Sequence, residues 1–598
     1  MYDSDSAALL SSAPALPGLD PRGLPSALTR LYAGLASSRL SAGGDGAEAT
    51  WVADGWSIER VADSYELLAT VSEEPAVRRP SAFVAASARQ ILARREAAGS
   101  EQTVRTVDRD YLDPAISSTI LFLIAEQYAD ANEATLAIRN HESEQPYECT
   151  ILAEHIADLA CGRLVQVIER AGRWRRRTMP AGIDNRAFYA LVETTCCGIE
   201  LLASEILALP QPVAIADRYP SSSAAFARVV SISGPTKLGK TASTLGMDFS
   251  YPGPHHLALL LAAAASTLVE ARLMSVRPPT GANVGIWDSW LRSRARRAPY
   301  LWPNHRTAID KRFYETGCSA VVVLPTGAGK TTVSSLKIAG VLARQKKVIF
   351  LAPTHALVDQ LTDDLQGMFP RDVMGAVVSS DYDMLLLGDT EVQDVEVMTP
   401  ERCLAMLSFA PEAFENVGLL VFDECHLLSP TAGKVRRALD AMLCVLAFQS
   451  IAPDADMLFL SAMLENGKDL SDWVASLTGR KSMDIILPWK PSRQARGVVV
   501  YQQDEVVAAR STALSIQNSE NERTGEVTKG LRTSAGRALT VQPYALWGLQ
   551  HNWLVEGVAW VVTRRISDRL VTLAGSLFGQ WIRVTPNANK VAAHIAAT

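Results

Sequence analysis

The fold of this chain is decided by one stretch, Val321-Val322-Val323-Leu324-Pro325-Thr326-Gly327-Ala328-Gly329-Lys330-Thr331-Thr332. A run of apolar, β-branched residues, typical of a buried strand, precedes a loop with two glycines, and a helical segment follows. Glycines let the backbone curl tightly, so that its N–H groups can point at phosphates. The start of the following helix adds the positive end of its dipole. The stretch therefore predicts a phosphate-binding P-loop.

A P-loop predicts a site for ATP and Mg²⁺. Its lysine, here Lys330, reaches the β- and γ-phosphates, and the next hydroxyl, that of Thr331, binds the metal. Leu324 stands where the usual pattern has its first glycine, so the assignment also depends on motifs downstream. The predicted nucleotide-binding loop comprises Pro325, Thr326, Gly327, Ala328, Gly329, Lys330, Thr331 and Thr332.

The composition is that of an ordinary globular protein, with 48% hydrophobic and 20% charged residues among 598. This length predicts about three to four domains. A net charge of −6 does not indicate nucleic-acid binding by the whole chain, so any such site must come from local patches. Eight cysteines without C-x-x-C spacing predict reduced, structural thiols. Since neither a signal peptide nor a bilayer-length apolar run is recognisable, we predict a cytoplasmic protein without a membrane partner.

The pattern of the sequence predicts four regions. Residues 1–230 are predicted to form an α-helical N-terminal domain, because apolar residues recur every three or four positions. A mixed linker region with a basic and aromatic stretch follows at 231–300. At 301–487 short apolar runs alternate with helical segments, which is typical of an α/β domain with a mostly parallel sheet. Residues 488–598 are predicted to be an insertion or linker that is rich in helix.

The α/β region places its motifs at strand ends, where ligands bind in such folds. We expect strands at residues 320–324, 347–352, 376–379, 396–399, 419–422 and 457–461. Helices are expected between them at 331–343, 357–366, 401–407 and 433–446.

A second motif, Asp423-Glu424-Cys425-His426, directly follows the apolar run at 419–422. A carboxylate at the end of a buried strand can complete the Mg²⁺ shell that Thr331 begins. A second carboxylate can orient and deprotonate the attacking water. Asp423 is therefore predicted as the metal residue and Glu424 as the catalytic base, with Lys330 completing the catalytic set. The structural alternative is an acidic turn at the end of a strand.

These motifs together resemble those of superfamily 2 helicases. Residues 325–331 resemble motif I, and Asp423–His426 is similar to a DExH-type motif II, here D-E-C-H. The segment A-P-T-H-A-L-V-D-Q at 352–360 resembles motif Ia. T-P-E-R at 399–402 resembles motif Ib, and S-A-M at 461–463 resembles motif III. The resemblance covers roughly a quarter of the chain. It implies a RecA-like ATP-binding domain at 301–487.

The resemblance implies an ATP-dependent helicase or translocase, with ATP and Mg²⁺ as cofactors. Four residues would contact the sugar-phosphate backbone of a strand through N–H and hydroxyl donors: Pro353, Thr354, Thr399 and Pro400. Two residues would couple that strand to the nucleotide site: Ser461 and His426. Each single Thr or Pro could instead be a turn residue. DNA is the expected partner. Contacts to the sugar-phosphate backbone carry little sequence information, so the motifs do not decide between DNA and RNA.

The resemblance ends at motif III. No second RecA-like domain of a complete helicase is recognisable, so we interpret the chain as a truncated helicase, or as the front half of one whose remainder is a separate polypeptide. We therefore expect the chain on its own to bind ATP but to hydrolyse it poorly. The long helical N-terminal region and R-Q-A-R-G at 493–497 resemble bacterial anti-phage defence helicases, including those of Hachiman systems. This implies a role in antiviral defence. Two alternatives stay open: an ATP-dependent switch that gates a partner nuclease without unwinding, and an inactive remnant.

The sequence also contains several weaker patterns. G-P-T-K-L-G-K-T at 234–241 has P-loop spacing after a candidate strand at 229–232, but a poor helix follows, which favours an irregular loop. Arginines lie beside one tryptophan at 170–177 and beside two at 287–297, which suits phosphate contacts and base stacking, or else a solvated surface. Trp302 and His305 occupy the place where such helicases carry an aromatic residue and a glutamine that contact adenine. Trp302 could contact adenine or could simply pack against neighbouring residues, and the sequence does not decide between these roles. Further on, 518–532 is predicted as a flexible loop and 545–582 as helix.

Overall fold

A computed structural model of the chain gives its fold. The residues that the structure describes are 4–40, 51–99, 106–139, 147–174, 186–234, 250–379, 392–428, 435–462, 464, 466–489, 496–500, 503–525, 531–532 and 545–549. They divide into two compact units, one with residues 1–62, 91–101 and 493–598, the other with residues 63–90 and 102–492. The second unit contains all of the candidate site residues that the structure describes.

In the described residues before 310, regular structure is almost wholly helical, apart from a short antiparallel pair of strands. The elements are α1 (Ser4–Ser11), α2 (Leu24–Leu40), β1 (Trp51–Ala53), β2 (Trp56–Ser57), α3 (Ile58–Val71), α4 (Pro75–Gly99), α5 (Pro114–Ile124), α6 (Tyr128–Arg139), α7 (Tyr147–Ala160), α8 (Leu164–Trp174), α9 (Arg186–Ile206), α10 (Val213–Ala216), α11 (Ser222–Ser233), α12 (Pro252–Glu270), α13 (Val284–Ala295) and α14 (Pro303–Asp310). The prediction of a helical N-terminal region is confirmed.

One expectation for this region is wrong, and the bounds of the expected linker stay a prediction. The candidate strand at 229–232 is the last turn of α11, which begins at the capping residue Ser221, whose side chain accepts a hydrogen bond from the N–H of Ala224. The linker expected at 231–300 contains the regular helices α12 and α13, because Pro252 starts a helix at a position where proline is favoured and a long Ala- and Leu-rich run continues it. Residues 235–249, with most of the second P-loop pattern, lie outside the described residues.

The α/β region forms one fully parallel seven-stranded sheet, ordered β5-β6-β4-β7-β8-β3-β9. Its strands are β3 (Ser319–Val323), β4 (Lys347–Leu351), β5 (Val377–Ser379), β6 (Val395–Met398), β7 (Val417–Phe422), β8 (Asp456–Ser461) and β9 (Ser482–Ile486). Its helices are α15 (Lys330–Leu342), α16 (His355–Met368), α17 (Arg371–Met374), α18 (Pro400–Phe409), α19 (Val435–Ile451) and α20 (Gly467–Thr478). This architecture fits the expected RecA-like domain.

The six expected strands are all present, with ends within two residues of the prediction. The seventh, β9, was missed because it pairs only with β3 at the edge of the sheet, and its burial is incomplete. An edge strand of this kind lacks the continuous apolar run that identifies a central parallel strand. The central strands β3, β4, β7 and β8 are buried almost throughout, so their carboxyl ends form a rigid edge for the site.

A buried lysine anchors α15 to the amino-terminal ends of two strands. Lys337 has a side chain only 1% exposed, and its Nζ donates to the carbonyl oxygens of Cys318 (2.6 Å), Glu315 (3.0 Å) and Phe313 (3.3 Å). It also lies 3.3 Å from Asp456 Oδ2 at the start of β8. Burial lowers the pKa of Lys337, and Asp456 opposes that shift. The helix that begins in the P-loop is thereby tied to the sheet.

The chain after residue 492 contains β10 (Arg496–Val500), α21 (Gln503–Thr524) and β11 (Ala545–Leu549), with the two strands paired antiparallel. The loop expected at 518–532 is helical up to Thr524, because a solvent-exposed polar helix lacks the apolar stripe on which sequence periodicity depends. Residues 545–549, expected as helix, are a strand, since a five-residue apolar run fits either state. Residues 550–598 lie outside the described residues, so the absence of a second RecA-like domain stays a prediction.

One described helix, α9, is long and apolar enough to cross a membrane by length and composition alone. In the structure, 72% of its most apolar window is buried inside the protein, as expected for a core helix. All eight cysteines are free, in agreement with the expected thiols.

Candidate nucleotide and nucleic-acid site

The P-loop connects β3 to α15 and is shaped by its two glycines. Gly327 and Gly329 have φ values of 80° and 83°, in the left-handed region that favours glycine. A Cβ atom on Gly329 would lie 2.1 Å from His305 Nε2, so this position also requires glycine for space. The N–H of Leu324 donates to Ser461 O at 3.0 Å, which joins the start of the loop to the end of β8.

Residues from motifs I, II and III form one connected polar network. Lys330 Nζ donates to Glu424 Oε1 at 2.7 Å, and the side chains of these residues are 16% and 28% exposed. Glu424 Oε2 lies 3.2 Å from His426 Nδ1, and the same ring nitrogen lies 3.4 Å from Ser461 Oγ. The structure thus brings together four of the predicted catalytic and coupling residues.

The turn after β7 directs the second carboxylate of motif II at the P-loop. Asp423 N–H donates to Leu351 O at 3.0 Å, and Asp423 Oδ1 accepts from Glu424 N–H at 2.9 Å. Glu424 has φ of +51°, an uncommon conformation for a residue with a side chain, and such outliers cluster at functional sites. Burial raises the pKa of Asp423, while nearby Lys330 opposes the rise.

The residues present fit a nucleotide phosphate and Mg²⁺. The carboxylate oxygen of Glu424 lies beside the ammonium group of Lys330, where an anionic phosphate oxygen would fit. Thr331, in the first turn of α15, and Asp423, at the end of β7, are the predicted metal residues. Among the residues that the structure describes, no three His, Cys, Asp or Glu side chains cluster as a metal site. Mg²⁺ is commonly bound by one or two carboxylates plus substrate phosphates, so a sparse protein ligand set suits it.

The predicted strand-binding residues lie at the carboxyl ends of the adjacent strands β4 and β6. Thr354 caps α16, its Oγ1 accepting from Leu357 N–H at 3.4 Å, and Thr399 caps α18 through Arg402 N–H at 3.3 Å. Thr354 is exposed, whereas Thr399 and Pro400 are buried. Burial of Thr399 and Pro400 is consistent with the alternative that they are turn residues. Two helix N-termini at one sheet edge nevertheless favour phosphate binding there. Strand contact by these residues and by half-buried Pro353 stays a prediction.

Asn304 and His305 contact the P-loop. Asn304 Nδ2 donates to Ala328 O at 2.6 Å, and His305 Nε2 lies 3.3 Å from the same oxygen. His305 Nδ1 accepts from Trp302 N–H at 3.3 Å, and the Trp302 ring stacks on the imidazole with 5.0 Å between centroids. Burial lowers the pKa of His305 to about 4, so the ring is neutral at pH 7. No pattern in the sequence indicates these contacts with the P-loop, since Trp302 and His305 suggest only contact with adenine or packing by Trp302.

This arrangement predicts weak selectivity for the base. Because Asn304 and His305 are buried and direct their polar atoms at neighbouring backbone, neither is placed to read adenine. We expect kcat/KM for GTP, CTP and UTP to lie within about tenfold of that for ATP, since only a site that hydrogen-bonds a substrate group rejects its analogues by about 10⁴–10⁵. Steady-state kinetics with the four nucleotides would measure this. A preference for ATP above about 10²-fold would contradict the prediction.

The two basic and aromatic stretches do not offer their tryptophans for base stacking. Trp287 and Trp290 are fully buried on α13, where Trp290 stacks on Phe369. Trp174 is also buried, and its Nε1 donates to Glu200 Oε1 at 3.0 Å. The stacking role is therefore wrong for these three residues, and residues 175–177 lie outside the described part of the chain.

Comparison with known proteins finds similarities in the α/β region. Residues 302–470 match the family model of the DEAD/DEAH box helicase. HelY of Mycobacterium tuberculosis, a probable helicase, is 30% identical over 28% of this chain and 17% of its own length. Hel308 of Thermoplasma acidophilum, an ATP-dependent DNA helicase, is 28% identical over 29% of this chain and 25% of its own length. The Hachiman protein HamB of Bacillus cereus is 27% identical over 30% of this chain and 16% of its own length.

These matches span a quarter or less of the curated relatives. Among solved structures, the DUF1998 helicase MrfA bound to DNA has 20% identity and a TM-score of 0.29, with 36% of this chain and 31% of that chain covered. The resemblance to superfamily 2 helicases is confirmed, and it includes a resemblance to HamB.

Proposed function

We propose that this chain, whose residues 302–470 resemble the DEAD/DEAH box helicases, is an ATP-dependent motor that moves on nucleic acid. The observation that carries the proposal is the connection of Lys330 to Glu424, His426 and Ser461 at the carboxyl edge of the sheet. In this proposal Lys330 and the P-loop N–H groups bind the phosphates of ATP. Thr331 and Asp423 bind Mg²⁺, which neutralises phosphate charge when present. Glu424 accepts the proton of the attacking water.

Nucleic acid is the second ligand in this proposal. The N-termini of α16 and α18, side by side at the strand ends, favour contact with a sugar-phosphate backbone. Ser461 and His426 would transmit the state of the nucleotide site to that strand. We propose DNA as the strand, since the similar Hel308 is a DNA helicase. We propose a role in antiviral defence with a partner protein, which the similarity to the Hachiman protein HamB supports. A cytoplasmic location is part of the same proposal.

The experiment is ATP turnover by the 598-residue chain, measured alone and with single-stranded DNA, duplex DNA and RNA. We expect stimulation by DNA that is lost in Lys330→Ala and retained in Lys468→Ala, which removes an exposed lysine of the same domain. Nucleotide binding without turnover, with no effect of any nucleic acid, would favour an ATP-dependent switch for a partner nuclease over a motor. If the wild-type chain bound no nucleotide, the proposal would be overturned, and the interpretation as an inactive helicase remnant would stand.

A further inference from the structure

We propose that Glu126, far from the site in sequence, is a positioning residue that acts on the P-loop through Arg306 and α14. The inference rests on the proposed function, because it concerns the geometry of the same nucleotide site. Glu126 lies in the helical region, at the corner between α5 and α6, and Arg306 lies on α14 beside the P-loop contacts Asn304 and His305. The pair therefore joins the helical region to the site.

The corner that carries Glu126 has a fixed and unfavourable backbone. Glu126 has φ of +59°, although it is not glycine. Its N–H donates to Leu123 O at 3.1 Å, and Gln127 N–H donates to Phe122 O at 2.9 Å, which holds the end of α5 in place. A residue with a side chain is retained in this conformation only when its surroundings determine it. Here the surroundings include the partners of its carboxylate.

The carboxylate of Glu126 is 3% exposed and is shared by two arginines from different parts of the chain. Arg79, on α4, places its Nε 2.8 Å from Glu126 Oε2. Arg306, on α14, donates a hydrogen bond from Nη2 to Glu126 Oε1. A buried charge is tolerated only when it is paired, so removal of Glu126 leaves two guanidinium groups without their partner. The orientation of α14 therefore depends on this carboxylate.

A short path leads from Arg306 to the phosphate-binding backbone. The preceding residues of α14, Asn304 and His305, both contact Ala328 O, at 2.6 Å and 3.3 Å. His305 also lies directly against Gly329, where there is no room even for a methyl group. Because packing this close does not absorb displacement, a shift of α14 must move Ala328 and Gly329 of the predicted phosphate-binding loop.

A second contact secures the entry to α14 independently. The Tyr300 ring stacks on Tyr128 of α6 with 5.4 Å between centroids, and Tyr300 Oη donates to Leu159 O at 2.8 Å. The segment that enters α14 is thus fastened to the helical region two residues before Trp302. The Glu126–Arg306 pair is thus a second attachment of α14 to the helical region, further along the chain.

The test compares Glu126→Gln and Arg306→Gln with Arg79→Gln, which removes the other partner of the same carboxylate without touching α14. For each variant, nucleotide affinity, KM, kcat and the melting temperature would be measured. We expect Glu126→Gln and Arg306→Gln to raise the nucleotide Kd and KM by at least about tenfold with little change in kcat. Arg79→Gln should lower the melting temperature similarly but leave Kd within about threefold of the wild type.

Arg306→Lys retains the charge and should recover part of the affinity, and it serves as the second variant if Glu126→Gln fails to fold. Equal loss of affinity in Arg79→Gln and Glu126→Gln would show a general structural effect and overturn the positioning role. Unchanged nucleotide affinity in a folded Arg306→Gln protein would also overturn it. In both cases the wild type still binds nucleotide, so the proposed function would stand.

Discussion

Replacing Glu424 with glutamine is expected to lower ATP turnover by about 10²–10⁴-fold, the usual contribution of a general base. Glutamine has nearly the same size and retains one oxygen that can accept from Lys330, but it cannot accept a proton from water. The fold and nucleotide binding should therefore be retained while the chemical step is lost. Turnover at saturating ATP and nucleic acid, together with equilibrium binding of ATP, would measure the two effects separately.

Glu412→Gln is the matched control, since Glu412 is an exposed carboxylate of the same domain. Its turnover should equal that of the wild type. If Glu424→Gln also retained turnover within about threefold, the assignment of the base would be wrong, because such a loss is far below that of a general base. A large loss of nucleotide binding in Glu424→Gln would assign this residue to ligand binding rather than to proton transfer.

Replacing Lys337 with methionine is expected to destabilise the protein by about 3 kcal/mol, at the low end of the cost of breaking a buried ion pair. The change leaves three backbone carbonyls and a buried carboxylate without their shared donor. Arg480 Nη1 stays 3.4 Å from Asp456 Oδ1, which limits the loss. Denaturant unfolding followed by circular dichroism would measure the free energy of unfolding.

Lys468→Met is the control for this experiment, because Lys468 is exposed on α20 and surface changes usually cost less than about 0.5 kcal/mol. Equal free energies of unfolding for both variants would show that Lys337 contributes nothing through its buried contacts. A loss confined to Lys337→Met would establish that the helix of the P-loop depends on this anchor.

The strands that carry the site could be predicted because each is a continuous apolar run that stops at a polar motif. In β7, four apolar residues lead directly to Asp423, which leaves little doubt about where the strand ends. The conformation of Glu424 could not be predicted, since its left-handed backbone depends on the surrounding packing. The sequence motifs predicted which residues meet around Lys330. The individual hydrogen bonds among them depend on side-chain directions that the sequence does not specify.

The aromatic residues before the P-loop show the limit of composition. Arginine beside tryptophan suggested a surface for bases, yet Trp287 and Trp290 are three residues apart and therefore lie on one face of α13, which is buried. Helical spacing was the better guide. For His305, the sequence identified the position but not the direction of the ring, which depends on the close approach of Gly329.

The contact between Lys330 and Glu424 makes the two anions of the reaction compete for one ammonium group. With Nζ 2.7 Å from Oε1, the carboxylate that must take a proton is already occupied by a cation. In the proposed mechanism, an arriving triphosphate would displace Glu424 from Lys330 and, in the same exchange, free that carboxylate to act on water. The pairing with Lys330 would then keep the proposed base engaged until a nucleotide binds.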